Sequence, residues 1–380
     1  MSLRGSVATE AIPFINEKIA CPFGTRNDRL IMTTYIARRL IQTVGLLFLL
    51  SIILFALVNL APGGPLSAYG GRRIRPEKVE ILKRQFGLDK PLPIQYLYWL
   101  TGNDWIRVDT NGDGVKDEPG TRKGILRGDF GLSYRTREPV LQEIGLRFPN
   151  TVTLMGITML TALAIAIPIG VYSAIKQYSI FDLFATTFSF AGQAIPEFWL
   201  GLLLILIFYA WLKNPWTGEP LLPPGGMSSL DSVAPWRHSL SDRLAHLVLP
   251  VLTGTLGWIA WYSRFLRSSL LEILPLNYMK SARARGLPER RVIFKHALSN
   301  ALIPIVTLIA LDLPYIFTGA VLIETIFAWP GMGRLYYQAA VERDYPLLMA
   351  VLIIGAAFII LCNLIADILY GYLDPRVRYE

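Results

Sequence analysis

Charged residues are scarce in six long stretches of the chain and crowd the segments between them. Leu40–Leu60, Phe148–Ile175, Leu244–Ser263 and Tyr345–Ala366 contain no Asp, Glu, Lys or Arg. Leu183–Leu212 and Ala297–Ile323 contain one acid each, Glu197 and Asp312. Apolar runs of about 18 residues or more predict membrane-crossing helices. Leu183–Leu212 would be about 45 Å long as one helix at 1.5 Å per residue, more than the roughly 30 Å hydrocarbon core. Pro196-Glu197 interrupts it, so it reads as one broken or tilted span. The pattern predicts an all-α membrane protein of about six transmembrane helices.

Composition supports that class. Hydrophobic residues make up 53% of the chain, charged residues 17%, and the mean hydropathy is +0.42. Soluble chains carry roughly 25% charged residues. A net charge of +9 would suggest a nucleic-acid partner if the basic residues lined a soluble face. Here many flank apolar runs, so they report orientation in a lipid bilayer and point to no nucleic acid. The loop between the fourth and fifth spans carries Arg264, Arg267, Lys280, Arg283, Arg285, Arg290, Arg291 and Lys295, which places it in the cytoplasm. Six crossings then put both termini inside a cell membrane, in agreement with Arg38, Arg39, Arg376 and Arg378. The segments 62–147 and 213–243 fall outside. Cys21 and Cys362 lie too far apart in sequence to suggest a disulfide framework or a metal site.

The expected domains follow. Residues 1–31 lack an apolar core for a signal peptide and read either as a disordered N-terminal extension or as sequence ahead of a true start at Met32. Residues 32–61 form the first span and 62–147 an extracytoplasmic insertion. Residues 148–373 hold the other five spans and the cytoplasmic loop 264–296, and 374–380 form a cytoplasmic tail. Within the insertion, Asp109, Asn111, Asp113, Val115 and Asp117 follow the spacing of the first positions of an EF-hand loop, with Gly114 at the sharp turn. The twelfth position is Gly120 instead of a bidentate Glu. Two readings stand: a weak structural calcium site, or an Asp/Asn/Gly-rich surface turn without metal.

In the cytoplasmic loop a short helix is expected over Asn277–Arg285. Gly286 suits the left-handed position past its end, and Pro288 can open the next helix. Tyr278, Ala282 and Arg285 share one face, and the small Ala282 would let it lie in a partner's groove. The alternative is a basic loop on the membrane surface. The segment resembles the Glu-Ala-Ala loop of binding-protein-dependent ABC permeases. Lys280, Ser281 and Ala282 stand for its opening triplet, Gly286 for its Gly and Leu298 for its Leu, while His296 and Ser299 replace its Ile and Pro. Four further stretches resemble the dipeptide/oligopeptide/nickel permease family: Asn59–Pro65, Gly128–Ser133, Glu324–Arg334 and Leu373–Arg376.

That resemblance, over roughly residues 32–380, implies a type I importer fold. It also implies a second, homologous permease subunit, two cytoplasmic ATPases that bind ATP and grip the loop, and an external binding protein delivering peptide or a similar solute. No Gly-x-x-x-x-Gly-Lys-Ser/Thr phosphate loop occurs in the sequence, so ATP hydrolysis falls to another chain and no cofactor is expected in this one. A secondary transporter would also use broken helices and buried acids, but an internal repeat is not evident. A membrane enzyme finds no motif among His238, His246 and His296. Glu197 and Asp312, acids inside apolar runs, either line the pathway or start half-helices beside Pro196 and Pro314.

Overall fold

The computed structural model describes residues 26–60, 83–84, 87–109, 118–120, 122–229 and 239–373. Two units are distinguished, Met1–Phe48 and Leu49–Glu380. The first helix, α1 (Arg26–Leu60), begins in the first unit and ends in the second. Its apolar part within the first unit exposes Ile41, Val44 and Phe48, as suits a helix bathed in lipid.

The second unit is almost wholly helical. After α1 come α2 (Leu92–Thr101), α3 (Val140–Ile175), α4 (Ile180–Ala194) and α5 (Glu197–Ile205), the last running on through a π-helical stretch, Leu206–Trp211. Then follow α6 (Leu240–Ile273), α7 (Asn277–Ala284) and α8 (Glu289–Arg291). A second π-helical stretch, Val292–Ala297, leads into α9 (Leu298–Thr318), α10 (Val321–Ile326), α11 (Met332–Val341) and α12 (Tyr345–Leu373). Among the described residues five segments are long and apolar enough to cross a membrane, and the α4–α5 pair, bent by 97°, supplies a sixth. The bend falls at Ile195-Pro196, because proline cannot continue the preceding helix's hydrogen bonding.

Two helices outrun their apolar cores. α3 starts at Val140, where Arg147 and Glu143 pair one turn apart, and α6 continues past Ser263 to Ile273. At 34 residues α6 is about 51 Å long by its 1.5 Å rise, so it carries the chain well beyond the hydrocarbon. α3 and α6 pack through small residues. A side chain at Gly170 would stand 2.7 Å from the Ser263 carbonyl oxygen, so the two backbones approach closely there. Within the insertion, Tyr96 and Trp99 of α2 pack on Phe55 of α1, and the Tyr96 hydroxyl is 2.7 Å from that of Ser51. The insertion also holds a short antiparallel pair, β1 (Arg107–Val108) with β2 (Glu118–Pro119), in an otherwise helical fold.

Candidate functional site

The loop between α6 and α9 folds as helix, glycine, helix. α7 spans Asn277–Ala284, and Gly286 takes φ +75°, a backbone that favours glycine. Pro288 precedes α8 as its N-cap. Arg283 and Glu289 close the turn with an ion pair of 2.9 Å. Met279 and Ala282 point inward onto Leu266, Leu270, Val292 and Ile293, a core shared by α3, α6 and α9. The expected common face of Tyr278, Ala282 and Arg285 is therefore corrected. Ala282 is used inside the chain, whereas Tyr278, Lys280, Ser281, Arg285 and Gly286 are exposed. Leu298, partly buried, packs on the same core. Anything that moves the exposed side of α7 thus pushes on the ends of three long helices.

One more tie, absent from the sequence reading, joins that assembly. The buried Asp182 carboxylate, in the first turn of α4, receives Arg267 Nε at 2.6 Å and Nη2 at 2.7 Å. It also accepts the Tyr178 N–H at 2.9 Å, while Ser179 caps α4 by accepting the Asp182 N–H. The Ser-x-x-Asp spacing before an apolar run signalled the cap but not the arginine 85 residues on.

The two membrane acids differ. Glu197 is the first residue of α5, beside Pro196 at the bend, and is exposed. Asp312 does not begin a half-helix, because α9 runs through Pro314 without a break to Thr318. Instead the Tyr262 hydroxyl of α6, itself 1% exposed, donates to Asp312 Oδ2 at 2.6 Å, and Asp312 remains half-buried. A third acid escaped the sequence reading, which used Glu324–Arg334 only for its resemblance to the family. Glu324 is fully buried, with Thr151 Oγ1 donating to Oε1 at 2.9 Å and the Arg334 N–H to Oε2 at 2.9 Å. Trp329 Nε1 donates to the Asn150 carbonyl at 3.0 Å, and Asn150 Nδ2 to the Pro330 carbonyl at 2.9 Å. The Trp-Pro-Gly-Met-Gly turn is thereby locked to α3 around one carboxylate. An acid flanked by Gly319, Gly331 and Gly333 was the available signal.

Of the EF-hand-like segment, Asn111, Asp113, Val115 and Asp117 lie outside the described residues. Asp109 stands 3.9 Å from Arg84. The β1–β2 pairing brings the segment's two ends together, and a side chain at Gly120 would run into Asn103. That packing is a physical reason for the missing twelfth-position glutamate.

With the geometry in place, the similarities to known proteins are these. The family described as binding-protein-dependent transport system inner membrane component matches residues 166–379, and its N-terminal counterpart matches 32–155. The oligopeptide transport system permease protein AppB of Bacillus subtilis is 38% identical over 349 residues, covering 92% of this chain and 100% of that protein. The dipeptide transport system permease protein DppB of Escherichia coli K12 is 37% identical over 362 residues, with coverage of 92% and 100%. The glutathione transport system permease protein GsiC of Pectobacterium atrosepticum is 34% identical over 349 residues, again covering 92% and 100%.

Proposed function

The chain belongs to the family of binding-protein-dependent transport system inner membrane components, and from that premise we propose that it forms part of the import pathway for small peptides. It is the membrane-spanning subunit of an ATP-driven transporter, and ATP hydrolysis belongs to separate subunits. In our reading a second permease of the same family completes the pathway. Two cytoplasmic ATPases engage the α7–α8 loop, and an external protein delivers the solute. The density of arginine and lysine in that loop supports a cytoplasmic location for it and for both termini.

One observation supports this most directly. The exposed side of α7 is basic and unpacked, while its inner side, Met279 and Ala282, is buried against α6 and the start of α9. A surface built this way can take up a partner's motion and pass it to the spans. Asp312 and Glu197 are candidate pathway acids that would favour a peptide's amino terminus. Residues 109–117 are proposed, on sequence pattern alone, as a weak calcium loop in the insertion.

Reconstituted uptake tests the reading. Proteoliposomes holding this chain, its partner permease and the ATPases should import a dipeptide only with ATP and the binding protein, and an uncoupler should not matter. Import that needs a proton gradient and proceeds without ATP would make the chain a secondary transporter.

A further inference from the structure

A polar cavity of about 250 Å³ lies between the segment around Ser133–Arg147 and helix α11, on the same side of the spans as the insertion. Arg135, Arg147, Arg334, Gln338, Glu143 and Glu342 line it. Its acids are already supplied with donors. Glu143 receives Arg147 at 3.2 Å and the Thr136 hydroxyl, and Glu342 receives Arg135 at 2.7 and 2.9 Å. Asp344, at the cavity floor, receives the Ser133 hydroxyl at 2.5 Å and the Arg135 N–H at 3.3 Å.

Arg334 differs from its neighbours. Its guanidinium donates to the Ala328 carbonyl at 2.6 Å and, among the described residues, meets no carboxylate. A guanidinium has five N–H donors in a rigid fork, and Arg334 lines the cavity with only one of them spent on Ala328. Arg334 is also held at both ends, its main-chain N–H on the buried Glu324 and its side chain on Ala328. A donor fixed before the ligand arrives loses little freedom on binding. Gln338 stands one helical turn further along α11 and offers an amide to the same space.

We propose that this cavity binds a carboxylate, the terminal carboxylate of a transported peptide, with Arg334 as its main partner and Gln338 meeting the adjoining amide. This rests on the reading of the chain as a peptide permease. Pockets that enclose whole drug-sized ligands measure about 300–1,000 Å³, so this one accepts the end of a peptide and not its length. A carboxylate carried by a docking protein is the other source of the same chemistry. It would first meet the exposed Arg135–Glu342 pair, which is already neutralised, whereas Arg334 sits half-buried in the wall.

The test uses the complete transporter in lipid nanodiscs, with Ala-Ala and its carboxyl-terminal amide as calorimetric probes. Wild type should prefer the acid by at least about tenfold, the size of one charge-assisted hydrogen bond. Arg334→Gln should bring that ratio to about one, while Arg334→Lys retains part of it. Gln338→Glu places a like charge in the cavity, so it should weaken the acid more than the amide and lower the ratio, and it carries the test if Arg334→Gln fails to fold. An acid-to-amide ratio that none of these changes moves would overturn the site. So would an unchanged ratio accompanied by weaker capture of the solute-free binding protein, which would assign the carboxylate to that protein. ATP-driven uptake is scored separately, so a working importer with an indifferent Arg334 sinks only this proposal.

Discussion

Asp182 and Arg267 meet in a two-pronged ion pair of 2.6 and 2.7 Å, with the aspartate 3% exposed. The pair fastens the turn between α3 and α4 to α6 just before α6 hands over to α7. Removing one partner leaves a buried charge uncompensated, a loss of about 3 kcal/mol, at the low end because Arg267 keeps 24% of its side chain exposed. Arg267→Ala should therefore lower the thermal midpoint in detergent, and Asp182→Asn should do so less. The double variant should cost less than the sum of the singles. Additive losses would mean that the pair carries no coupling.

Gly286 separates α7 from α8 with φ +75° and open space where a side chain would project. Gly286→Ala should cost only about 1–2 kcal/mol of backbone strain. Its effect on transport should be larger than its effect on stability if the turn sets the angle of α7. Lys280→Glu on the exposed side should weaken ATPase capture and leave the stability within about 0.5 kcal/mol of wild type. Ala282→Glu is not a clean probe, because it buries a carboxylate against Leu266 and Val292. Unaltered ATPase capture in Lys280→Glu would remove that face from the contact.

Much of this architecture was legible because lipid imposes long uncharged runs and proline marks their breaks. The bend at Pro196 and the left-handed Gly286 both follow from local chemistry. The direction in which Ala282 faces did not, since it depends on Val292 and Leu266, which reach α7 only in the folded chain. Asp312 looked like a half-helix start because its partner, Tyr262, is fifty residues away. Glu324 lies just past an apolar run, where a charge reads as solvent-facing, and only tertiary packing buries it.

Tyr262→Phe and Asp312→Asn separate packing from solute recognition. Loss of the Tyr262 hydroxyl removes one hydrogen bond to a charged group, about 1.5–3 kcal/mol, and should leave peptide preference unchanged. Asp312→Asn keeps an acceptor for Tyr262 but removes the charge. Uptake of a dipeptide relative to its amino-acetylated form should fall towards parity in that variant. A preference untouched by Asp312→Asn would take this acid off the pathway.

The Glu324 knot makes the glycines around it sensitive in a way that Gly286 is not. A side chain at Gly331 would come within 2.6 Å of the Glu324 carboxylate carbon, and one at Gly319 would run into Oε1 from a backbone at φ +81°. Overpacking and strain together should cost about 3 kcal/mol in Gly319→Ala. Thr151→Val should cost about 1–3 kcal/mol, since Glu324 Oε1 and the Met332 N–H both lose a partner. Thermal midpoints that place Gly319→Ala level with Gly286→Ala would show that the knot is looser than its geometry.

Calcium binding in the insertion is the last expectation, and hairpin geometry sharpens it. Arg107↔Pro119 and Val108↔Glu118 pair on either side of the segment, so its two ends are held together before any metal arrives. Pre-closure favours binding, because less chain must be ordered. Against it, Asn103 occupies the space a twelfth-position side chain would need at Gly120, which removes the bidentate ligand responsible for much of an EF-hand's affinity. The balance puts the dissociation constant on the order of 10⁻⁴–10⁻³ M. At a constant of 1 mM, 10 mM calcium adds about 1.4 kcal/mol to stability by mass action. The full-length protein should then show a higher thermal midpoint in 10 mM calcium than in 10 mM magnesium, since magnesium resists dehydration in such a loop. Asp113→Ala should abolish the difference. Equal midpoints in the two salts for the wild type would reduce the segment to a surface turn.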